Sequence, residues 1–566
     1  MQQPSRPNSG QPTLEVIEGR ASASARSEPG GRLFAAAIAG AVLLGFFVRA
    51  GFVLSADFPI MDGGLFLVMA EDLQQSGYAL PAFTSYNTGE IPFAYPPLGI
   101  YAGALLDDLT PMGLTDVLRV VPLLVSTLSI VAFYLFARSL RISRLEQAAS
   151  VFAFALLPRA FFWMIMGGGL TRSFGLVFAL LALQQIVLMG RSARTRHAVA
   201  AGVFGGLTAL SHLEWAWFVA FSAPVLLMAY GRSRDSVWGT LIAGGVAVTV
   251  ASPWWVAVVA EHGLAPFQAA SQTASQTSAN PVLGPLLFTF TDEPLFPLIG
   301  ALGLLGVLAS LAQRRFLLPC WFGICLLLDA AAVGTVASVP LALLAGFASV
   351  RVVLPLLQGR SAMRPQPGEA SAVTGAEAPS PVAPRWLAGA VAAVAFVYAL
   401  LSAALVSPAV LSAMSPEERD AMGWVAANTP VSSRFLVVTA DRWAIDRTSE
   451  WFPALARRTN LATPQGYEFV PGRQLAEQIA AYNAAQRCGD SNAACLDAWA
   501  REYGQFDYVY IPRLAPRNFR TLDPDECCAG LRSALMRDVD YAVVYDGPGA
   551  TVFAVRTSVA RQPGSR

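Results

Sequence analysis

The chain has 566 residues, of which 54% are hydrophobic and only 14% are charged. A mean hydropathy of +0.49 places it among polytopic membrane proteins, and a formal net charge of +1 gives no indication of a nucleic-acid partner. The 39 Lys and Arg residues are all arginine, which with abundant Ala, Gly and Pro indicates a GC-rich bacterial genome.

Apolar runs predict a transmembrane domain over residues 33–407. Residues 1–32 are rich in Ser, Gly, Pro and Arg, and we expect a disordered cytoplasmic segment there. The first span, 33–54, is too long for a signal peptide and lacks a cleavage pattern. Ten further runs bring the predicted number of membrane helices to about eleven: 116–137, 147–166, 173–189, 198–213, 215–230, 236–259, 295–312, 316–333, 335–357 and 386–407.

Arginines in the short loops predict the orientation. They recur after every second span, at 138–144, 191–196, 231–234 and 313–315, and the positive-inside rule therefore makes these loops cytoplasmic.

The same alternation puts the 55–110 loop, the 260–294 loop and everything after 408 outside an inner membrane. The apolar stretch 95–106 must then be a re-entrant or interfacial helix, because a full crossing would invert all later loops. Residues 358–385 are expected to form a cytoplasmic disordered linker.

The tail, residues 408–566, is predicted to be an extracytoplasmic mixed α/β domain. Ser415, Pro416 and Glu418 have the spacing of a helix start with a capping box. Strands are expected at 435–439, 508–511, 541–545 and 551–555, the last two as a hairpin, with helices at 473–487, 493–503 and 526–537. Cys488, Cys495, Cys527 and Cys528 suit an oxidising exterior and leave three disulfide pairings open, although joining the adjacent Cys527 and Cys528 would form a strained ring.

The external loop between 57 and 101 has the composition of a site. Asp57 and Asp62 follow the first span at once, and Gly63 and Gly64 remove side chains beside Asp62, so that a substrate could approach it. FAYPPLGIY then places Tyr95 beside two prolines at the membrane surface. An ordinary polar loop with an interfacial aromatic belt is the alternative.

Polar residues of the membrane half gather toward the same outer side. On the predicted topology Arg159, Arg172, His212, Glu214, Asp292, Glu293 and Asp329 all lie near the outer ends of spans. A transporter needs polar groups near the midplane that are reachable from both sides. An enzyme that acts on a lipid-linked donor needs them at one interface, so the pattern favours an enzyme.

The loop motifs resemble those of the GT-C glycosyltransferases, polytopic enzymes that use polyprenyl-phosphate-linked sugars. The resemblance rests on DGGLF at 62–66 and YPPL at 95–98, although many members have Asp-Glu where this chain has Asp62-Gly63. It implies a GT-C type membrane fold and inverting transfer of a sugar to a glycan, lipid or protein acceptor. An oligosaccharyltransferase-like ligase, or a non-catalytic or transporting protein on the same scaffold, are the alternatives.

Under this resemblance Asp62 is the first choice of general base, and Asp57 and Glu293 are the next carboxylates to test. Glu293 resembles in placement an acidic residue of a later external loop in oligosaccharyltransferase subunits, where a divalent metal such as Mg²⁺ or Mn²⁺ binds.

Arg159 and Arg172 are candidates for holding the donor phosphate, because guanidinium groups bind phosphate oxygens in pairs. Tyr95, His212 and Glu214 are further candidates for contact with the donor lipid, although the last two also suit a structural pair.

In the tail, Glu450, Trp451 and Gln465 are candidates for contact with the acceptor. The alternative is that Trp451 packs the tail onto the membrane loops.

Overall fold

The computed structural model describes residues 29–88, 91–231, 234–273, 289–328, 334–357, 385–405, 411–472, 474–513 and 527–556. The predictions for residues 1–28, for Asp329 and for the linker 358–384 lie outside this set.

The N-terminal two thirds of the chain form a helical assembly. Its helices are α1 (Pro29–Leu54), α2 (Gly64–Gln75), α3 (Leu98–Leu109), α4 (Leu114–Ser139), α5 (Arg144–Leu156), α6 (Pro158–Phe161), α7 (Gly169–Ser192), α8 (Thr195–Ser211), α9 (Leu213–Tyr230), α10 (Arg234–His262), α11 (Ala265–Thr273), α12 (Leu298–Ala312), α13 (Leu317–Leu328), α14 (Ser338–Leu357) and α15 (Arg385–Ala404). A short hairpin, β1 (Phe83–Thr84) and β2 (Ile91–Pro92), lies between α2 and α3.

Every predicted span falls on one or more of these helices. Within the described residues, six helices are long and apolar enough to cross a membrane, or seven if the bent pair formed by α5 and the segment Pro158–Met164 is one span. The other predicted spans fall on shorter apolar segments, so the number eleven stays a prediction. Helix α3, with 12 residues, is about 18 Å long. It is too short to cross a hydrocarbon core of about 30 Å.

A sharp bend replaces the continuous span predicted over 147–166. Helix α5 ends at Leu156, and Pro158 begins a new helical segment at 73° to it. Proline lacks the N–H that would continue the helix, so carbonyl groups of the last turn need other donors. Fully buried Arg49 of α1 donates to the Ala155 carbonyl (3.0 Å) and lies over the Phe161 ring (4.6 Å), so it contacts both sides of the break.

The tail forms the predicted mixed α/β domain. Its helices are α16 (Pro416–Asn428), α17 (Arg447–Ala456), α18 (Gln474–Gln486), α19 (Ala493–Tyr503) and α20 (Ala529–Arg537), and its strands are β3 (Arg434–Val437), β4 (Thr459–Asn460), β5 (Tyr508–Pro512), β6 (Tyr541–Asp546) and β7 (Ala550–Val555). The strand order is β4-β3-β5-β7-β6, with β3 parallel to both of its neighbours and the β6–β7 hairpin antiparallel. Apolar residues of α18, α19 and α20 cover one face of this sheet.

Two local predictions in the tail have definite outcomes. The Ser415 side chain accepts from the Glu418 N–H (3.2 Å), and Pro416 opens α16, as expected. The reciprocal half of the capping box is wrong, because the Glu418 carboxylate instead accepts from the Thr448 hydroxyl. Of the pairings left open, the structure has the disulfides Cys488–Cys495 and Cys527–Cys528.

The tail domain and the membrane loops pack as one body. Ile60 forms an antiparallel bridge with Ala413. Trp451 is fully buried, with its ring 4.6 Å from the Phe58 ring and its Nε1–H donating to the Met61 carbonyl at 2.9 Å. Trp451 therefore packs the tail onto the membrane loops, which was the alternative to contact with the acceptor.

Candidate active site

A cavity of about 310 Å³ opens where the 55–110 loop meets the tail domain. The membrane half contributes Asp62, Phe66, Tyr95, Trp163, Arg172 and His212 to its wall. The tail contributes Trp443, Asp446, Arg447, Glu450, Gln465 and Glu468. Carboxylates, guanidinium groups and aromatic rings from distant parts of the chain thus meet in one cavity, which is a common composition for ligand sites.

Asp62 is held by α7 and by the turn that precedes it. Its Oδ2 accepts from Arg172 Nη2 at 2.5 Å, and its Oδ1 accepts from the Gly168 N–H at 2.8 Å. Gly167 donates to the Ile60 carbonyl (3.0 Å), and a Cβ at Gly167 would lie 1.9 Å from the Asp62 carbonyl oxygen. Glycine is therefore required at 167 for this approach. The Asp62 side chain remains 16% exposed, which leaves it accessible from the cavity.

Gly63 and Gly64 have a different role from the one expected. A Cβ at Gly63 would lie 2.8 Å from the Trp451 ring, and one at Gly64 would lie 2.8 Å from the Glu450 carbonyl oxygen. The space that these glycines leave is thus filled by the tail domain. Gly63 also has φ +143°, a conformation that side chains rarely adopt.

The Arg172 guanidinium lies between Asp62 and Trp163. It is 5.4 Å from the Trp163 ring, and its Nη1 donates to the Trp163 carbonyl at 3.3 Å. Arginine has five N–H donors, so these contacts leave several for a ligand.

Tyr95 stands between the two halves of the cavity. Its ring packs against Phe66 (5.0 Å), Phe469 (5.5 Å) and His212 (6.2 Å). Burial raises the pKa of Tyr95 to about 12, so its phenol stays protonated at neutral pH.

Glu450 reaches the same place from α17. Its carboxylate accepts from the N–H groups of Gly63 (3.1 and 3.2 Å) and Leu65 (3.2 Å) at the start of α2. Burial, and secondarily the charge of Asp62, raise the pKa of Glu450 to about 8. The cavity therefore contains one carboxylate paired with an arginine and a second carboxyl group whose hydrogen bonds come from backbone N–H groups.

Among the cavity residues that were not identified from the sequence are Trp443, Asp446, Arg447 and Glu468. Burial raises the pKa of both Asp446 and Glu468. Asp446 accepts from Tyr482 (2.6 Å) and Thr439 (2.7 Å), while Glu468 Oε2 accepts from the Gly466 N–H (2.8 Å). The only signal in the sequence is a concentration of aromatic and acidic residues over 441–469.

Of the predicted site residues, Asp62, Tyr95, Arg172, His212, Glu450 and Gln465 line the cavity. Three other predicted site residues, Asp57, Arg159 and Glu293, bind partners outside the cavity. Asp57 is exposed and pairs with Arg419 (2.5 Å), which lowers the Asp57 pKa. Arg159 pairs with Asp292 (2.7 Å). The two oxygens of Glu293 accept from the N–H groups of Ile299 (2.9 Å) and Gly300 (3.0 Å) in the first turn of α12.

Two further predicted residues lie outside the cavity wall. Glu214 follows His212 in the first turn of α9, and Trp451 packs beneath the loop as described above.

Within the described ranges, no group of three or more His, Cys, Asp or Glu side chains is placed to share an ion. Asp292 and Glu293, in the region where a divalent metal was considered, are each engaged by other groups.

No protein-family model and no curated protein matches this chain. Solved structures do. The Archaeoglobus fulgidus oligosaccharyltransferase AglB, in complex with an inhibitory peptide and a dolichol-phosphate, has 15% identity and a TM-score of 0.50, with 85% of this chain and 69% of that chain covered.

The arabinofuranosyltransferase AftD from Mycobacteria has 17% identity and a TM-score of 0.53, with 93% of this chain and 40% of that chain covered. ArnT from Cupriavidus metallidurans, in the apo state, has 14% identity and a TM-score of 0.50, with 92% of this chain and 99% of that chain covered. The chain therefore has the fold of the GT-C glycosyltransferases. It is a multi-pass membrane protein with this fold, joined to a C-terminal α/β domain.

Proposed function

We propose that the protein is a glycosyltransferase that moves a sugar from a polyprenyl-phosphate donor to an acceptor at the outer face of the membrane. The observation that carries this proposal is the cavity in which Asp62 and Arg172 meet aromatic and acidic residues of the tail. The fold supports it, since structures with the same fold include an oligosaccharyltransferase with bound dolichol-phosphate and an arabinofuranosyltransferase.

Asp62 is the proposed general base. A carboxylate has about four lone-pair sites, and two of those on Asp62 are used by Arg172 and the Gly168 N–H. The others can accept the proton of an acceptor hydroxyl, whose oxygen attacks the anomeric carbon. A positioned base of this kind typically contributes about 10²–10⁴ in rate.

Arg172 is the proposed contact for the leaving phosphate. As the bond between the anomeric carbon and the phosphate oxygen breaks, negative charge grows on that oxygen, and a guanidinium with unused N–H donors stabilises it. A single displacement inverts the anomeric centre. Arg159, which is paired with Asp292, supports the bend that carries Trp163 in this proposal.

The tail wall is the proposed acceptor side of the cavity. Gln465 lines it, with its Oε1 accepting from Thr463 (2.6 Å) and its Nε2 only 3.4 Å from the Trp443 carbonyl. Trp451 acts beneath this wall as a packing residue.

The test is sugar transfer by membranes that contain the wild type, Asp62→Asn or Asp57→Asn at equal expression. Radiolabelled polyprenyl-phosphate sugars are the donors. We expect Asp62→Asn to lower transfer by about 10²-fold or more and Asp57→Asn to retain it, because Asp57 faces solvent beside Arg419.

Full activity of Asp62→Asn would remove Asp62 as the base. Transfer only from oligosaccharide donors would indicate a ligase of the oligosaccharyltransferase kind. Movement of a labelled lipid across the membrane without any transfer would indicate a transporter.

A further inference from the structure

Glu450, in the tail domain, binds the backbone on both sides of Gly64. Its carboxyl group accepts hydrogen bonds from the Gly63 and Leu65 N–H groups. These two residues lie at the N-terminus of α2, one and three residues after Asp62. These are N–H groups that a helix of this kind cannot satisfy internally. The positive end of the helix dipole favours the carboxyl group there.

The backbone of Glu450 is fixed in turn by the external loop. The Tyr86 hydroxyl donates to the Glu450 carbonyl at 2.6 Å. Glu450 is 2% exposed and the next residue, Trp451, is fully buried. Loop and tail therefore hold each other through a reciprocal pair of contacts, one of which involves the residue directly after Asp62.

We propose that Glu450 is a positioning residue that fixes the Asp62–Gly63 backbone, so that the base is correctly placed only when the tail domain is docked. This goes beyond acceptor contact, the role first considered for Glu450. The Gly168 N–H and Arg172 hold the Asp62 side chain from the membrane half, while Glu450 holds the following peptide groups from the tail. The effect on rate rests on the proposed function, whereas the effect on the backbone does not.

Two readouts test the proposal in the full-length protein. In Glu450→Gln the amide N–H₂ opposes a backbone donor, and unlike a carboxyl group it cannot release a proton to accept through both positions. Hydrogen–deuterium exchange of the peptide that covers residues 60–66 should then become at least about 10-fold faster. Sugar transfer should fall through kcat, by about 10²-fold, with little change in the acceptor KM. Tyr86→Phe should change both readouts in the same direction by less.

Asp72→Asn is the matched control. Asp72 is also a buried carboxyl group that accepts three hydrogen bonds, from Thr84 (2.7 Å) and from the N–H (2.9 Å) and hydroxyl (2.6 Å) of Ser85, but it lies two turns further along α2. Its loss should speed exchange near residues 84 and 85 and leave residues 60–66 and kcat unchanged.

Unchanged exchange at 60–66 in both Glu450→Gln and Tyr86→Phe would overturn the proposal. A raised acceptor KM at constant kcat would also overturn it, in favour of direct acceptor contact. Faster exchange in a protein whose wild type transfers no sugar would support the positioning contact and count against the proposed function instead.

Discussion

At the scale of single residues, the tail domain buries acidic groups at a cost that depends on pH. Burial raises the pKa of Asp441 from 3.8 to about 7 and that of Glu450 from 4.5 to about 8. The folded protein thus holds protons that the unfolded chain releases near pH 4. Stability linked to these groups is fully present below pH 4 and is lost as the pH rises through 7 and 8.

We therefore predict a lower thermal midpoint at pH 8.5 than at pH 5.5, by a few degrees, for the protein purified in detergent. Asp57 and Asp546 act in the opposite sense, but their pKa values are lowered, so they do not titrate in this range. Glu450→Gln and Asp441→Asn should each flatten the pH dependence. An equally steep decline in both variants would contradict the assignment to these groups.

At the scale of elements, the bend between α5 and α6 depends on Arg49. This guanidinium donates to the Gly45 (2.9 Å) and Ala155 (3.0 Å) carbonyls and to Ser126 (3.1 Å), while its Nη2 has no partner among the described residues. A charge inside a membrane span requires a reason. Here the reason is that the arginine supplies donors that the broken helix lacks.

Arg49→Met has two opposing effects on stability. Unpaired acceptors cost roughly 1–3 kcal/mol each, but removal of a buried cation recovers its desolvation penalty. We expect the thermal midpoint to change little and the bend to loosen, which would lower sugar transfer about 10-fold because Trp163 and Arg159 follow the break. Arg32→Met, an exposed change near the other end of α1, should leave transfer intact. Wild-type transfer by Arg49→Met would contradict this role.

Elements with a strong local pattern could be predicted from the sequence. The apolar runs, the Ser415 cap and the β6–β7 hairpin are examples, because periodicity, a capping residue and a turn specify them within a few positions. The direction of the chain after Pro158 could not be predicted, since hydropathy does not change there. Helix α17 was missed because it is short, contains Pro453 and is stabilised by burial.

The candidate site was only partly predictable for a related reason. Asp62 and Arg172 could be proposed from residue type and depth. Asp57, five residues before Asp62, could not be distinguished from it until Arg419 was found beside it. Asp446, Arg447 and Glu468 reach the cavity only through the packing of the tail on the loop, and no spacing in the sequence encodes that contact.

At the scale of the whole molecule, the proposed reaction requires the 55–110 loop and the tail to share one side of the membrane. The loop and the tail must lie on the same side because they are in direct contact. Trp451 of the tail donates to the Met61 carbonyl, and Glu450 accepts from the Gly63 N–H. On the predicted topology the arginine loops then face the opposite side. The placement of that side as cytoplasmic rests on the positive-inside rule.

Cysteine labelling on intact cells tests this orientation. In a background with Cys320 replaced by serine, Gln75→Cys in the first loop and Glu502→Cys in the tail are exposed positions on the predicted outer side, and Arg194→Cys is an exposed position in an arginine loop. A membrane-impermeant maleimide should label the first two in intact cells and the third only after the cells are lysed. Labelling of Arg194→Cys in intact cells would invert the topology. Different accessibility of Gln75→Cys and Glu502→Cys would contradict the shared cavity, because both domains must reach it from one compartment.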